Sequence, residues 1–172
     1  MIDVRLDDLA FSDADAIARP VDAELQATTP LLRRLDHAAG PTLARQLHAH
    51  EPLAVGSAVV TGAGALGAEL LIHAVIMSIE ERVTREGVRR ALTSVLQRAA
   101  DWDVRHLALP PFGVGAGQLE LEESAAVTAE VLARHRTGGR GPARVSVIVE
   151  TELEREIFAG FVARDVQRAV AP

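Results

Sequence analysis

The stretch richest in chemical potential is Pro110-Pro111-Phe112-Gly113-Val114-Gly115-Ala116-Gly117-Gln118-Leu119. Alternating glycines let a backbone take positive φ and turn successive N–H groups toward a ligand with no Cβ in the way. An apolar run, Val104 to Leu109, precedes the loop and a helical pattern follows it. The loop therefore lies at a strand's carboxyl end and opens a helix whose N-terminal dipole favours an anion. Such a cradle needs no lysine, and the sequence has none: all 18 of its basic residues are arginine. The same glycines would equally serve a tight structural turn. Glu120, Glu122 and Glu123 cut both ways, as normal first-turn helix residues that would repel an anion placed too close. Among the histidines, His73 sits inside the apolar run Leu70 to Met77 and reads as a satisfied core residue. His48 and His50, two apart, share no helix face, so no metal site is expected.

The elements that must position this loop follow from periodicity. Ile2 to Leu6 alternates apolar and charged residues, as a half-buried strand does. Ala58 to Thr61 and Leu70 to Ile76 are apolar runs split by a glycine-rich segment, Gly62 to Gly67, and read as two antiparallel strands joined by a turn. Val104 to Leu109 and Val145 to Val149 are two further strands. Val88, Ala91, Leu92, Val95, Leu96 and Ala99 form a helical stripe, and Leu121, Ala125, Thr128 and Leu132 form another. A third helix carries Leu153, Ile157, Phe158, Phe161 and Val162, with Thr151 and Glu154 spaced as a capping box. A helical stretch from Pro30 to His50 is broken at Gly40-Pro41. Trp102, at a helix end, is expected to pack as an anchor of the next connection. Arg136 to Pro142 reads as a flexible surface connection. Strands alternating with helices predict an α/β protein, a three-layer α/β/α sandwich on a mixed sheet.

Composition narrows the function classes. The chain has 172 residues, a single domain's length, and contains no cysteine, tyrosine or asparagine. Thiol nucleophiles, disulfides, cysteine-bearing zinc sites, Walker-type phosphate loops and Schiff-base chemistry are all excluded by residues that are not there. A formal charge of −6 argues against a general nucleic-acid coat. No apolar run is long enough to span a bilayer, and the N-terminus carries acids where a secretory leader needs a basic region. No membrane association is expected, and the expected location is cytoplasmic.

The string Leu107 to Leu119 resembles the phosphate-binding loop of the macrodomain family. Val55 to Leu66 followed by Leu71 to Val75 is similar to the family's pair of central strands. Asp8-Leu9-Ala10, with Asp15-Ala16-Ile17 seven residues after Asp8, resembles the segment that opens the adenosine site, and His37 to Pro41 resembles the end of the first long helix. These segments stand in the family's order and cover nearly the whole chain. The resemblance implies one macrodomain over residues 1–172, a roughly six-stranded mixed sheet, and a ligand that is ADP-ribose or a close relative, free or attached to a macromolecule. It implies no cofactor. Carried over by position, Asp8 accepts from the adenine amino group and Leu9 donates from its backbone. Gly113, Val114, Gly115, Ala116 and Gly117 wrap the diphosphate, and Leu119 packs near the distal ribose. Taken alone, Asp8 beside Asp7 would read as a solvated turn residue.

Three departures bear on activity. Hydrolytic members carry two asparagines after the Asp-Ala-Ile strand, the second orienting the distal ribose for attack by water. Here Arg19 and Asp22 hold those positions. The family's glycine-rich clamp on the distal ribose reads Gln26-Ala27-Thr28-Thr29-Pro30-Leu31-Leu32-Arg33, without a glycine. The aromatic residue that often stacks on adenine at the end of the last strand is Glu150. The expected function is binding of ADP-ribose or a derivative without efficient catalysis. The alternatives are a divergent hydrolase or Appr-1''-p processing enzyme with Asp22 as catalytic base, and a binder of another nucleotide. Asp22 equally suits a polar cap on its own loop.

Overall fold

Short β-branched and alanine-rich runs, each closed by a breaker or a capping residue, set the order of elements. In a computed structural model the strands are β1 (Ile2–Leu6), β2 (Ala16–Asp22), β3 (Ala58–Gly62), β4 (Leu70–Met77), β5 (His106–Leu109) and β6 (Arg144–Val149). The helices are α1 (Pro30–Ala39), α2 (Pro41–Leu47), α3 (Arg85–Asp101), α4 (Leu121–Thr137) and α5 (Glu152–Arg168), with a 3-10 turn at Leu9–Phe11. The structure describes residues 1–48, 50–115, 118–138 and 141–168. Ala116 and Gly117 of the glycine loop, and Gly139 and Arg140 of the expected surface connection, lie outside them.

The six strands form one mixed sheet in the order β1-β6-β5-β2-β4-β3. All neighbours are parallel except β3 and β4, which pair antiparallel, as the two apolar runs predicted. Strand β2 is central and buried along almost its whole length. The Asp15 carboxylate ahead of it accepts the N–H groups of Arg105 and His106 at 3.1 and 2.9 Å, and its carbonyl accepts from Glu69, so three strand starts are tied at one residue.

The sheet buries both faces. Helices α3, α4 and α5 cover one through Val88, Leu92, Val95, Leu132 and Phe158. Helices α1 and α2 and the 3-10 turn cover the other through Leu9, Leu32, Leu35 and Leu43. Caps fix the helix starts, and that of α5 is the one the sequence spacing predicted. Thr84 Oγ1 accepts from Gly87 N at 3.0 Å, and Thr151 with Glu154 forms the reciprocal box that opens α5. The Pro30 to His50 stretch breaks into α1 and α2 at Gly40-Pro41. The glycine-rich turn after β3 has a packing reason: Gly64 has φ +61°, and a Cβ there would overlap the Ala39 carbonyl at the end of α1. Trp102 departs from expectation. It caps the C-terminus of α3 and is 55% exposed, because the turn into β5 is closed by backbone bonds from Asp103 and Val104 to the last turn of α3. Among the described residues no helix is long and apolar enough to cross a membrane.

Candidate functional site

Four neighbouring strands, β1, β6, β5 and β2, release their carboxyl ends on one edge of the sheet. The segments that follow them are the 3-10 turn headed by Asp8, the Glu150 junction into α5, the glycine loop from Pro110, and the connection from Asp22 to α1. In open α/β sheets this edge is where ligands bind.

Two cavities lie there. One, of about 250 Å³, is lined by Thr29, Pro30, Pro111, Val114, Gly115 and Glu150, with Leu31, Arg34, Ile148 and Glu154 completing it. The other, of about 170 Å³, is lined by Asp8, Leu9, Ala10, Phe11, Leu35 and Ala38, again with Leu31 and Arg34. Leu31 and Arg34 line both, so the two cavities adjoin and together make a groove from Asp8 to the glycine loop that these two side chains divide. The lining side chains include three carboxylates, Asp8, Glu150 and Glu154, and a single base, Arg34. Arg34 reaches from α1 to bond Glu150 at the end of β6.

The glycine loop is tightly packed in its described part. Gly113 has φ +78°, and a Cβ there would come within 2.9 Å of Val88 Cγ2 and 3.2 Å of Leu119 Cδ1. Only glycine fits that backbone against that core. Gly115 also has a glycine-type φ, +155°. Leu119 N donates to Gly113 O at 2.8 Å and Gln118 N to Gly115 O at 3.1 Å, while the buried Ser124 hydroxyl donates to Phe112 O at 2.6 Å. Leu119 packs partly buried against the core beside Gly113. The Thr28 hydroxyl and the Gln118 side-chain oxygen, in the two segments that flank the larger cavity, are buried without a hydrogen-bond partner. Buried polar atoms are seldom left so unless water or a ligand completes them.

Asp8 is exposed and caps the 3-10 turn, Oδ1 accepting from Ala10 N at 2.9 Å. Asp22 is engaged with its own turn: Oδ1 accepts from Glu24 N at 3.0 Å and Gln26 N at 2.8 Å. It lines neither cavity.

Arg19 is fully buried beneath α1. Its Nη1 bonds the Asp36 carboxylate, Nε donates to His73 Nδ1 at 2.8 Å, and Nη2 donates to Leu25 O at 3.1 Å. His73 is therefore neutral with its proton on Nε2, which donates to Thr61 Oγ1 at 2.8 Å, and that hydroxyl donates to Gly62 O. Burial pushes the His73 pKa well below its usual value, with Arg19 and then His50 adding in the same sense. Burial also pushes Arg19 down and, despite the opposing pull of Arg19, Asp36 up. Leu25 completes the arrangement. It is 1% exposed with φ +63°, a conformation held by its buried side chain, its N–H bond to Asp22 O and the bond from Arg19. In place of a glycine clamp, the chain thus fixes this connection with a strained leucine and a buried arginine.

Sequence reasoning missed Arg34, Phe11 and Leu31. Phe11 could have been found, since an apolar ring three residues after Asp8 ends up 83% exposed beside the groove. Arg34 could not, because its partner lies 116 residues away. Among the described residues no group of three or more acidic or histidine side chains is placed to hold a metal ion.

The fold agrees with what known proteins show. The Macro domain family matches residues 20–128, and the chain belongs to that family. Among curated relatives, an uncharacterized protein of Mycobacterium tuberculosis strain H37Rv is 30% identical over 137 residues, 80% of this chain and 38% of that one. The chain thus spans under two fifths of the length of that relative. Among solved structures, the Oceanobacillus iheyensis macrodomain with ADP superposes with a TM-score of 0.87 at 16% identity, covering 96% of this chain and 91% of that one. A Trypanosoma brucei macrodomain in complex with ADP-ribose superposes at 0.84 with 16% identity, over 94% and 68%.

Proposed function

We propose that the groove binds ADP-ribose, or a derivative of it carried on a macromolecule, and does so without efficient hydrolysis. The carrying observation is the pair of adjoining cavities, one at Asp8 and the other at the described half of the glycine loop. The smaller cavity suits a purine, with Asp8 to accept from its amino group. The larger suits a diphosphate and ribose, with Gly113, Val114 and Gly115 as its backbone wall. Family membership and structural neighbours that hold ADP or ADP-ribose support the ligand class. The reading without efficient turnover rests on the β2–α1 connection. Arg19 is committed to the core and the Asp22 carboxylate to its own turn, so neither is offered to a ribose. Losing a group that orients a nucleophile typically lowers a rate about hundredfold to thousandfold.

Calorimetric titration with ADP-ribose tests this. A micromolar to sub-millimolar dissociation constant is expected, and Asp8→Ala weakens binding by about 1.5–3 kcal/mol, as for a hydrogen bond to a charged group. Ribose 5-phosphate, which lacks adenine, should be indifferent to the change. Asp8→Asn retains an oxygen for the turn cap and separates lost recognition from a disturbed turn. Equal weakening of both ligands by both variants would show that Asp8 acts only through the fold.

A further inference from the structure

The groove that the nucleotide reading assigns to a diphosphate has an unfavourable electrostatic wall, and its single base is already occupied. Three of the four charged side chains lining it are acidic. Glu154 is engaged locally, since one of its oxygens accepts the N–H groups of Glu150 and Thr151 at the start of α5. Glu150 is neutralised only across the groove, by Arg34. Resting on that reading, we propose that Arg34 is the ligand-binding base and Glu150 its internal competitor: a diphosphate enters by taking Arg34 from Glu150, and the ion pair is a latch that sets affinity and selects polyanionic over neutral nucleosides.

The geometry supports an exchange rather than a fixed strut. Arg34 and Glu150 are 61% and 48% exposed, and ion pairs this open to water are weak, so that a ligand can break one at small cost. The latch therefore opens easily. A guanidinium offers planar paired donors suited to two phosphate oxygens, a better match than a carboxylate it holds through one nitrogen. Arg34 lies at the junction of the two cavities, where a diphosphate joining a purine to a second ribose would pass. On release Glu150 turns to solvent.

Titrations of the full chain and of Arg34→Gln, Glu150→Gln and the double variant with ADP-ribose, ADP and adenosine test the latch. Both side chains lie on the surface, so folding is not at stake; unchanged melting temperatures without ligand check this. Glu150→Gln should tighten ADP-ribose and ADP about threefold to tenfold, by freeing Arg34 and removing a like charge, and leave adenosine unchanged. Arg34→Gln should weaken the two diphosphates about tenfold or more. In the Arg34→Gln background the gain from Glu150→Gln should shrink, because no base remains to be freed. Tighter diphosphate binding by Arg34→Gln would make Arg34 a plug and overturn the proposal, as would a wild type that binds ADP-ribose with no response to Glu150→Gln. Failure of the wild type and every variant to bind any of the three ligands would instead overturn the nucleotide reading and the latch with it.

Discussion

Replacing Asp36 by alanine leaves the Arg19 guanidinium buried beneath α1 with only neutral hydrogen-bond partners, His73 and the Leu25 carbonyl, and the weaker pull of the Asp22 charge. The directions of the shifts define the energetics. Burial disfavours the charged form on both sides, pushing Arg19 down and Asp36 up, so the attraction between them works against a desolvation cost. Breaking it is a separate matter, because an uncompensated buried charge costs about 3–5 kcal/mol. Arg19 is fully buried, but the Asp36 side chain is 32% exposed, so water can partly replace it. The lower end, about 3 kcal/mol, is expected, equivalent to roughly 6–12 °C in melting temperature for a chain of this size. Guanidinium denaturation of Asp36→Ala, Arg19→Met and the double variant measures it, with the slope in denaturant unchanged as the control. Removing both charges leaves no orphan ion, so the double variant should be less destabilised than the sum of the singles by about 2 kcal/mol or more. An Asp36→Ala cost under about 1 kcal/mol, or strict additivity, would refute the reasoning.

His73 is neutral when folded, so below pH 6.5 the unfolded chain takes up a proton that the folded chain refuses. Stability from this residue is complete above about pH 6.5 and falls on acidification by up to about 1.4 kcal/mol per pH unit; His135, lowered by burial, adds in the same sense. Denaturation midpoints from pH 7.5 to 5 should show this slope, largely flattened in His73→Gln, and an equal slope in the variant would sink the assignment. Leu25→Ala should cost about 2–5 kcal/mol in lost burial. Leu25→Gly should be no worse than alanine, because a left-handed φ strains any side chain by about 1–2 kcal/mol, and a glycine variant clearly less stable than alanine would contradict this. Gly113→Ala should lower stability by about 1–3 kcal/mol through strain and contact with Val88, and an unchanged melting temperature would show that the loop backbone gives way.

The sequence by itself determined the layers and most of the elements, but its periodicity did not show the central strand β2. Periodicity is a local property, so the α3 stripe, the antiparallel β3–β4 pair, the Thr151–Glu154 box and the break at Gly40-Pro41 could all be read from neighbours in the chain. The glycine loop was legible for the same reason, since its positive φ and its place after an apolar strand are written in contiguous residues. What only the tertiary structure decided is where charged side chains go. Arg19 and Asp36 are 17 residues apart, Arg19 and His73 are 54 apart, and Arg34 and Glu150 are 116 apart. A lone arginine in an apolar segment looks the same in sequence whether it meets water or a buried carboxylate, and Glu150 looks the same whether it replaces a stacking ring or pairs with a base. Those outcomes depend on which strand ends the sheet order brings together, and sheet order is fixed by the packing of the whole chain rather than by any local pattern.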